Sequence, residues 1–133
     1  MKAISARIVK GINKGALLNA ADNSGAKIVR VVGVIHGKGC KGRQISCGIA
    51  DLIQVSVRKG AVEMKKQVFL AVIVRQRKDY RRRTGERISF EDNAVVLLKD
   101  REGNPKGTQV KGAIAREVAD RWPFIARIAG VVV

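Results

Sequence analysis

The chain has 133 residues, of which 46% are hydrophobic, so it is long enough to bury one core and short enough to form one domain. Its 27 Lys and Arg residues outnumber 11 Asp and Glu residues, and the formal net charge of +16 favours a polyanionic partner, most often nucleic acid. The longest apolar run, residues 68–74, is too short to cross a bilayer, and the first residues lack the apolar stretch of a signal peptide, which predicts a soluble protein.

The predicted elements along most of the chain are short β-strands. Alternating apolar and polar residues, or runs rich in β-branched residues, occur at 27–35, 53–58, 69–74, 87–91 and 94–98. The third of these runs is apolar on both faces, which predicts a central strand. Turn sequences such as Asp-Asn-Ser-Gly and Thr-Gly separate the runs. Several short strands without helices between them predict a mainly β fold, a small closed barrel whose closure removes open sheet edges.

The period of the apolar residues changes towards the C-terminal end. Apolar side chains recur there every three or four positions, at Ile114, Val118, Trp122 and Ile125. This spacing predicts one apolar helical face, and Pro123 suits the first position of a second helix, with Gly130 as its end. We therefore expect two short helices packed against the barrel and anchored to it by Trp122.

Residues 1–133 are predicted to form a single domain, with the barrel at about 1–110 and a helical segment at about 111–133. The charge divides differently along the chain. Residues 27–83 carry a net charge of +12, whereas residues 84–133 carry only +1. One partner of one sign does not explain both regions, so we expect a polyanion-binding face and a second face for other partners.

The most basic segment is 75–85, which leaves the central strand and returns through a Thr-Gly turn, as a hairpin arm would. Its six cations are Arg75, Arg77, Lys78, Arg81, Arg82 and Arg83. Guanidinium groups bind phosphates bidentately, and Tyr80 could stack on a sugar or a base. A solvated edge strand whose charges prevent aggregation is the alternative. Six like charges on one hairpin repel each other unless a polyanion neutralises them, which favours nucleic-acid binding.

A second basic segment is the glycine-rich loop at 37–43, where Lys38, Lys41 and Arg43 accompany three glycines. Glycines allow backbone to approach phosphates closely, so RNA contact is the preferred interpretation and a flexible solvated loop the alternative. The loop lacks the Gly-Lys-Ser/Thr ending of a nucleotide P-loop.

Chemistry other than binding finds little support. His36, Cys40 and Cys47 lack the close pairing of structural zinc ligands, so neither a metal nor another cofactor is expected. Two cysteines make no disulfide framework, which indicates a reducing cytoplasm. A single histidine provides no independently supported Ser-His or Cys-His pair, so the chain is predicted not to be an enzyme. An enzyme with a cysteine nucleophile would need a thiol of low pKa.

Several motifs resemble the universal family of large-subunit ribosomal protein 14. The first is Ala-Asp-Asn-Ser-Gly-Ala-Lys at residues 21–27. The second consists of Ala-Val-Ile-Val-Arg at 71–75, Arg-Arg-Arg-Thr-Gly at 81–85 and Phe-Glu-Asp-Asn-Ala-Val-Val-Leu at 90–97. The opening residues 6–18 and the closing Ala-Asp-Arg-Trp-Pro at 119–123 are similar to the archaeal and eukaryotic branch.

The resemblance implies a five-stranded barrel with a hairpin arm and a C-terminal helical pair. It also implies a cytoplasmic structural protein of the large subunit that binds large-subunit rRNA near the translation-factor region. Further implied partners are neighbouring ribosomal proteins, small-subunit rRNA at an intersubunit bridge, and the anti-association initiation factor. A free RNA-binding module, such as a translation factor on a similar small barrel, is the alternative; washing would strip it from large subunits.

The candidate site residues follow from charge, position and the resemblance. The candidate rRNA-binding residues are Lys27, Arg30, Lys38, Lys41, Arg43, Arg58, Lys59, Lys65, Lys66, Arg75, Arg77, Lys78, Tyr80, Arg81, Arg82 and Arg83. The candidate protein-interface residues are Arg116, Asp120 and Arg121.

Overall fold

Strands make up most of the regular structure in the computed structural model, which describes residues 2–133. The strands before the helices are β1 (Ile12–Asn13), β2 (Leu17–Ala20), β3 (Ala26–Val34), β4 (Ser46–Cys47), β5 (Leu52–Gly60), β6 (Val68–Arg75), β7 (Tyr80–Arg81), β8 (Arg87–Ile88), β9 (Ala94–Leu98) and β10 (Val110–Ile114). The remaining elements are α1 (Arg116–Arg121), α2 (Pro123–Ile128) and β11 (Ala129–Val132). No helix among residues 2–133 is long and apolar enough to span a membrane.

Five strands close into a barrel in the order β2-β3-β5-β6-β9, which confirms the predicted fold class. Neighbouring strands are antiparallel except at the closure, where β2 runs parallel to β9 and Asn19 lies opposite Ala94. Closure gives the backbone groups of both outermost strands a partner, so the barrel has no open edge for another chain to pair with.

Inward-facing residues fill the barrel at alternate positions. On β3, Val29 and Val31 are buried while Arg30 between them is exposed, and on β5 Val55 and Val57 are buried in the same way. The predicted central strand is confirmed over its last four residues, because residues 71–74 of β6 are all buried. Burial at consecutive positions means that protein covers both faces of the strand.

Two strand assignments differ from the sequence-based prediction. Leu17–Ala20 is a barrel strand that the pattern did not identify, since Leu17 and Leu18 are adjacent apolar residues and Leu17 is exposed. The predicted strand at 87–91 is limited to Arg87–Ile88, which pairs with Tyr80–Arg81 as the returning strand of the hairpin arm. Alternation identifies an extended segment but not its partner.

The C-terminal segment packs on the barrel as two short helices between two strands. Trp122 is buried and its Nε1–H donates to the Ala50 carbonyl oxygen at 2.9 Å, so the predicted anchor is confirmed. Pro123 occupies the start of α2 as expected. Gly130 does not end the helix, because α2 stops at Ile128 and Gly130 lies in β11, which pairs in parallel with β10. Ile114, predicted to lie on the helical face, ends β10 and is buried.

Candidate nucleic-acid interface

Most of the predicted RNA-binding residues lie on the surface. The exposed ones are Lys27, Arg30, Lys38, Lys41, Arg43, Arg58, Lys59, Lys65, Lys66, Arg77, Lys78, Arg81 and Arg83. Three others behave differently: Arg75 and Arg82 are partly buried, and Tyr80 is fully buried. Exposure leaves the first group free to meet a polyanion, whereas the second group has partners inside the protein.

The outer face of the barrel brings together cations from neighbouring strands. Arg30 on β3 lies opposite Leu17 on one side and Ser56 on the other, so these side chains share a face. Arg30 and Arg58 line an open cavity of about 650 Å³, together with Lys14, which sequence reasoning did not select. Val68 lines the same cavity and Leu17 a neighbouring one, and both exposed side chains add apolar surface beside the charges. The face therefore offers both cations and apolar contacts, a combination that suits a sugar-phosphate backbone.

The glycine-rich loop presents its three cations to solvent, but two of its glycines have structural roles. A Cβ at Gly37 would lie 2.7 Å from Ile45 Cγ2, and one at Gly39 would lie 2.9 Å from the Arg43 carbonyl oxygen. The loop's own packing thus requires these two glycines. Gly42 differs. Its φ of +72° favours glycine, and no atom lies within 4 Å of the position that a Cβ would take, so a partner's backbone can approach there.

Alternation along the hairpin arm divides its residues between two faces. Tyr80 and Arg82 point inward to Glu117 on α1, whereas Arg81 and Arg83 are exposed. The Tyr80 hydroxyl donates to Glu117 Oε2 at 2.7 Å, and Arg82 Nε donates to Glu117 Oε1 at 2.8 Å. The suggested stacking of Tyr80 on a base or sugar is therefore wrong for this structure, because its ring lies in the core.

The Tyr80-Arg82-Glu117 cluster fixes the arm to the C-terminal segment. Arg82 also donates to the Val133 carbonyl oxygen at 2.6 Å. Burial alone would raise the pKa of Glu117, but the hydrogen bonds from Arg82 and Tyr80 outweigh it and hold that pKa below its ordinary value. Burial raises the pKa of the Tyr80 hydroxyl, and its hydrogen bond to Glu117 adds to this effect. At neutral pH the cluster therefore contains a charged carboxylate, a charged guanidinium and a neutral phenol.

Arg75 at the base of the arm has internal partners as well. Its Nε donates to Asp92 Oδ1 at 2.8 Å, and its Nη1 donates to the carbonyl oxygens of Lys111 and Ala113. Asn93 accepts a hydrogen bond from the Arg77 backbone N–H at 2.8 Å. The segment 90–97 thus stabilises the base of the hairpin through Asp92 and Asn93.

The segment 21–27 also has a structural role. Asp22 accepts hydrogen bonds from the Leu97 N–H at 3.1 Å and the Ser24 hydroxyl at 2.8 Å. Burial raises its pKa, although these hydrogen bonds oppose the rise. Asn23 accepts from the Thr108 N–H at 2.8 Å. The motif therefore joins the β2–β3 turn to β9 and to the loop before β10.

The three predicted interface residues separate into two groups. Arg116 and Asp120 lie exposed on α1, as expected. Arg121 is only partly exposed, since its Nε donates to the Lys2 carbonyl oxygen at 2.8 Å and its Nη1 lies 3.8 Å from Asp51 Oδ1. Arg116 and Asp120 are thus available to a partner, whereas Arg121 holds the N-terminal residues against the barrel.

The cysteines show no arrangement for catalysis or metal binding. Cys47 is buried, and its thiol donates to the Ile12 carbonyl oxygen at 3.3 Å. Burial, together with the nearby Asp51 carboxylate, raises the pKa of Cys47 to about 12, the opposite of what a nucleophile needs. Cys40 is exposed in the basic loop. No group of three His, Cys, Asp or Glu within residues 2–133 is placed to hold a metal ion.

Sequence comparison gives a consistent set of relatives. The sequence model of the family described as ribosomal protein L14p/L23e matches residues 11–133. A protein of Nanoarchaeum equitans, named large ribosomal subunit protein uL14, is 57% identical over 133 residues, all of both chains. The proteins of that name from Methanothrix thermoacetophila and Halobacterium salinarum are 49% and 48% identical, again over the full length of both chains.

Proposed function

The chain belongs to the ribosomal protein L14p/L23e family and is a structural constituent of the large ribosomal subunit, and on that premise we propose that it binds large-subunit rRNA through its exposed cations. Proteins of this family are structural components of the cytoplasmic ribosome, not enzymes. The archaeal identity of the relatives agrees with the archaeal and eukaryotic character of the first and last motifs. In this proposal, the rRNA lies near the translation-factor region of the subunit.

The observation that carries the proposal is the exposure of thirteen of the predicted cations, none of which forms a salt bridge within residues 2–133. The exposed outer barrel residues, the loop at 37–43 and the outward face of the hairpin are the proposed contacts. Salt bridges within the described residues use Arg75 and Arg82 but leave Arg30, Arg81 and Arg83 without a carboxylate. Unpaired cations on one small domain repel each other, and binding to phosphates relieves this repulsion.

Replacing Arg81 and Arg83 together with Ala tests the proposal. Each lost phosphate contact lowers the slope of log affinity against log salt by roughly 0.7–0.9, so the double variant should lose roughly 1.4–1.8. Filter binding to large-subunit rRNA between low and moderate salt measures the slope. Arg101→Ala with Arg127→Ala removes the same charge from the nearly neutral C-terminal region and serves as the control. An equal slope for both variants would refute rRNA binding by the hairpin.

We also propose that the C-terminal segment meets other partners: neighbouring ribosomal proteins, small-subunit rRNA at an intersubunit bridge, and the anti-association initiation factor. The near-neutral charge of residues 84–133, which include this segment, and the exposed Arg116 and Asp120 support this division. The anchoring of Trp122 in the barrel supports a further proposal, that residues 1–133 act as one domain.

Exchanging two charges on α1, Arg116→Glu with Asp120→Arg, tests the second face. Neither residue forms a salt bridge within the described chain, and the exchange preserves the net charge. rRNA affinity should therefore stay within about twofold, while docking of the anti-association factor on purified large subunits weakens. Reversing Arg121 instead would also break its contact with Asp51, so it is a poorer probe. Loss of rRNA affinity with intact docking would show that α1 belongs to the RNA surface.

A further inference from the structure

Five arginines surround an open cavity of about 500 Å³ between the N-terminal residues and the hairpin arm: Arg7, Arg81, Arg82, Arg83 and Arg87. Ile8 and Val9 complete its wall with apolar surface. Neither Arg7 nor Arg87 was selected from the sequence. Arg7 lies in a weakly charged stretch, and Arg87 lies in the nearly neutral residues 84–133. Arg7 also lies outside residues 11–133, the part that the family model matches.

Strand pairing places three of these arginines in a row. Arg7 forms an antiparallel bridge with Arg81, and Arg81 lies opposite Arg87 in the hairpin. Directly opposite residues of antiparallel strands point to the same face, where like charges destabilise the pairing. The row thus concentrates positive charge on one side of the arm.

Internal carboxylates compensate only two of the five. Arg82 pairs with Glu117, and Arg87 Nε lies 2.7 Å from Asp79 Oδ2. Among residues 2–133, neither Arg7, Arg81 nor Arg83 forms a salt bridge. Three of the arginines that line the cavity therefore have no carboxylate partner among the described residues.

The N-terminal wall of the cavity is held in place before any ligand arrives. Gln76 Nε2 donates to the Val9 carbonyl oxygen at 2.8 Å, and Lys10 Nζ lies 3.1 Å from Asp51 Oδ2. A Cβ at Gly48 would lie 3.0 Å from Ile8 Cγ2, which shows how closely this stretch packs on the barrel. With the next three residues held and its own backbone bridged to Arg81, Arg7 loses less backbone entropy when it binds an anion.

We propose that Arg7 completes a phosphate-binding pocket with Arg81 and Arg83, and that this pocket holds a phosphodiester of RNA with its ribose against Ile8 and Val9. The inference rests on the proposed rRNA binding and extends it to the N-terminal residues. Guanidinium groups recognise phosphate oxygens bidentately. The apolar wall favours a nucleotide within a chain over free phosphate, because a sugar has surface to place against it.

The test compares Arg7→Ala with Arg101→Ala, an exposed arginine outside the pocket, by filter binding to large-subunit rRNA. Arg7→Ala should lower affinity about tenfold, as expected for a lost charge-assisted contact, and lower the salt slope by roughly 0.7–0.9. Arg101→Ala should change affinity less than about twofold. Arg7→Lys should keep the slope but lose part of the affinity, since a lysine cannot bind bidentately. Combining Arg7→Ala with Arg81→Ala should cost less than the product of the single effects, because both side chains hold one phosphate.

Three outcomes would overturn the pocket. The first is equal rRNA affinity for the Arg7→Ala and Arg101→Ala variants. If Arg30→Ala still weakens rRNA binding in that case, the pocket is refuted but the proposed rRNA binding is not. Another is wild-type protein that fails to bind rRNA, which removes the proposed function as well. The third is competition by inorganic pyrophosphate at the concentration that an RNA oligonucleotide requires, which would indicate a site for free anions. Circular dichroism of each variant verifies its fold.

Discussion

Replacing Glu117 with Gln should destabilise the protein although it removes only one charge. Glu117 and Arg82 have side chains that are 6% and 10% exposed, so the substitution leaves a nearly buried guanidinium without its carboxylate. Breaking a buried pair in this way costs roughly 3–5 kcal/mol, and we expect the lower end because Arg82 keeps its hydrogen bond to the Val133 carbonyl oxygen. Tyr80 should add little to this loss, because its hydroxyl can still donate a hydrogen bond to the glutamine side-chain oxygen.

Urea unfolding at pH 7 measures this loss. With a slope of roughly 1–3 kcal/mol per molar urea, a loss of about 3 kcal/mol lowers the midpoint by at least about 1 M. Glu63→Gln is the matched control, because Glu63 is exposed and forms no salt bridge within residues 2–133. Replacing both partners, Arg82→Met with Glu117→Leu, should recover much of the stability. If the urea midpoint of Glu117→Gln equals that of Glu63→Gln, the reasoning is refuted, because the Arg82–Glu117 pair would then contribute no more than an exposed salt bridge.

Acidification provides a second readout of the same pair. The pKa of Glu117 lies below its ordinary value of 4.5 in the folded protein, so its stabilisation is present above that value and is lost as pH falls through the folded pKa. The difference in stability between wild type and Glu117→Gln should therefore shrink as the pH falls below 4.5. For RNA, the variant gains one unit of net positive charge, which alone would tighten binding. If loss of the Glu117 contacts displaces the hairpin, rRNA binding should weaken instead. The direction of the change in rRNA affinity therefore distinguishes the effect of charge from the effect of the hairpin's position.

Three further substitutions test the packing of the barrel. Val72→Asp should place an unpaired charge at a fully buried position and cost several kcal/mol, enough to unfold the domain; a wild-type thermal melt would contradict this. Trp122→Ala should cost roughly 3–5 kcal/mol through the cavity and the lost hydrogen bond to Ala50, and Trp122→Phe clearly less, as urea midpoints would show. Gly103→Ala should cost at least about 1–3 kcal/mol, because its φ is +104° and a Cβ would lie 2.7 Å from Trp122 Cε3; an unchanged melting temperature would refute it.

The sequence pattern predicted the barrel and hairpin because both rest on local periodicity and turns. It missed Leu17–Ala20, whose role depends on a parallel pairing with β9 that no local signal encodes. It also made the returning strand of the hairpin too long, since alternation continues to residue 91 whereas the pairing with Tyr80–Arg81 covers only Arg87–Ile88.

The candidate site was predicted best where charge alone decides. Counting cations selected Arg81 and Arg83 correctly as surface residues, but could not detect that Glu117, distant in sequence, neutralises Arg82. The alternation already used for strands would have separated Arg82 from its neighbours if it had been applied to the arm. Arg7 had no such signal, because only the folded chain brings it beside Arg81.

The parallel pairing of β2 with β9 delays closure of the barrel during synthesis. Ala94 follows Asn19, its partner, by about 75 residues, which take roughly 4–15 s to translate at about 5–20 residues per second. Once β3 has been made, β2 and β3 can pair with each other, but the barrel cannot close, so the nascent chain presents unpaired, apolar strand edges. Any chaperone or RNA that protects this chain during translation therefore has to act before residues 94–98 emerge.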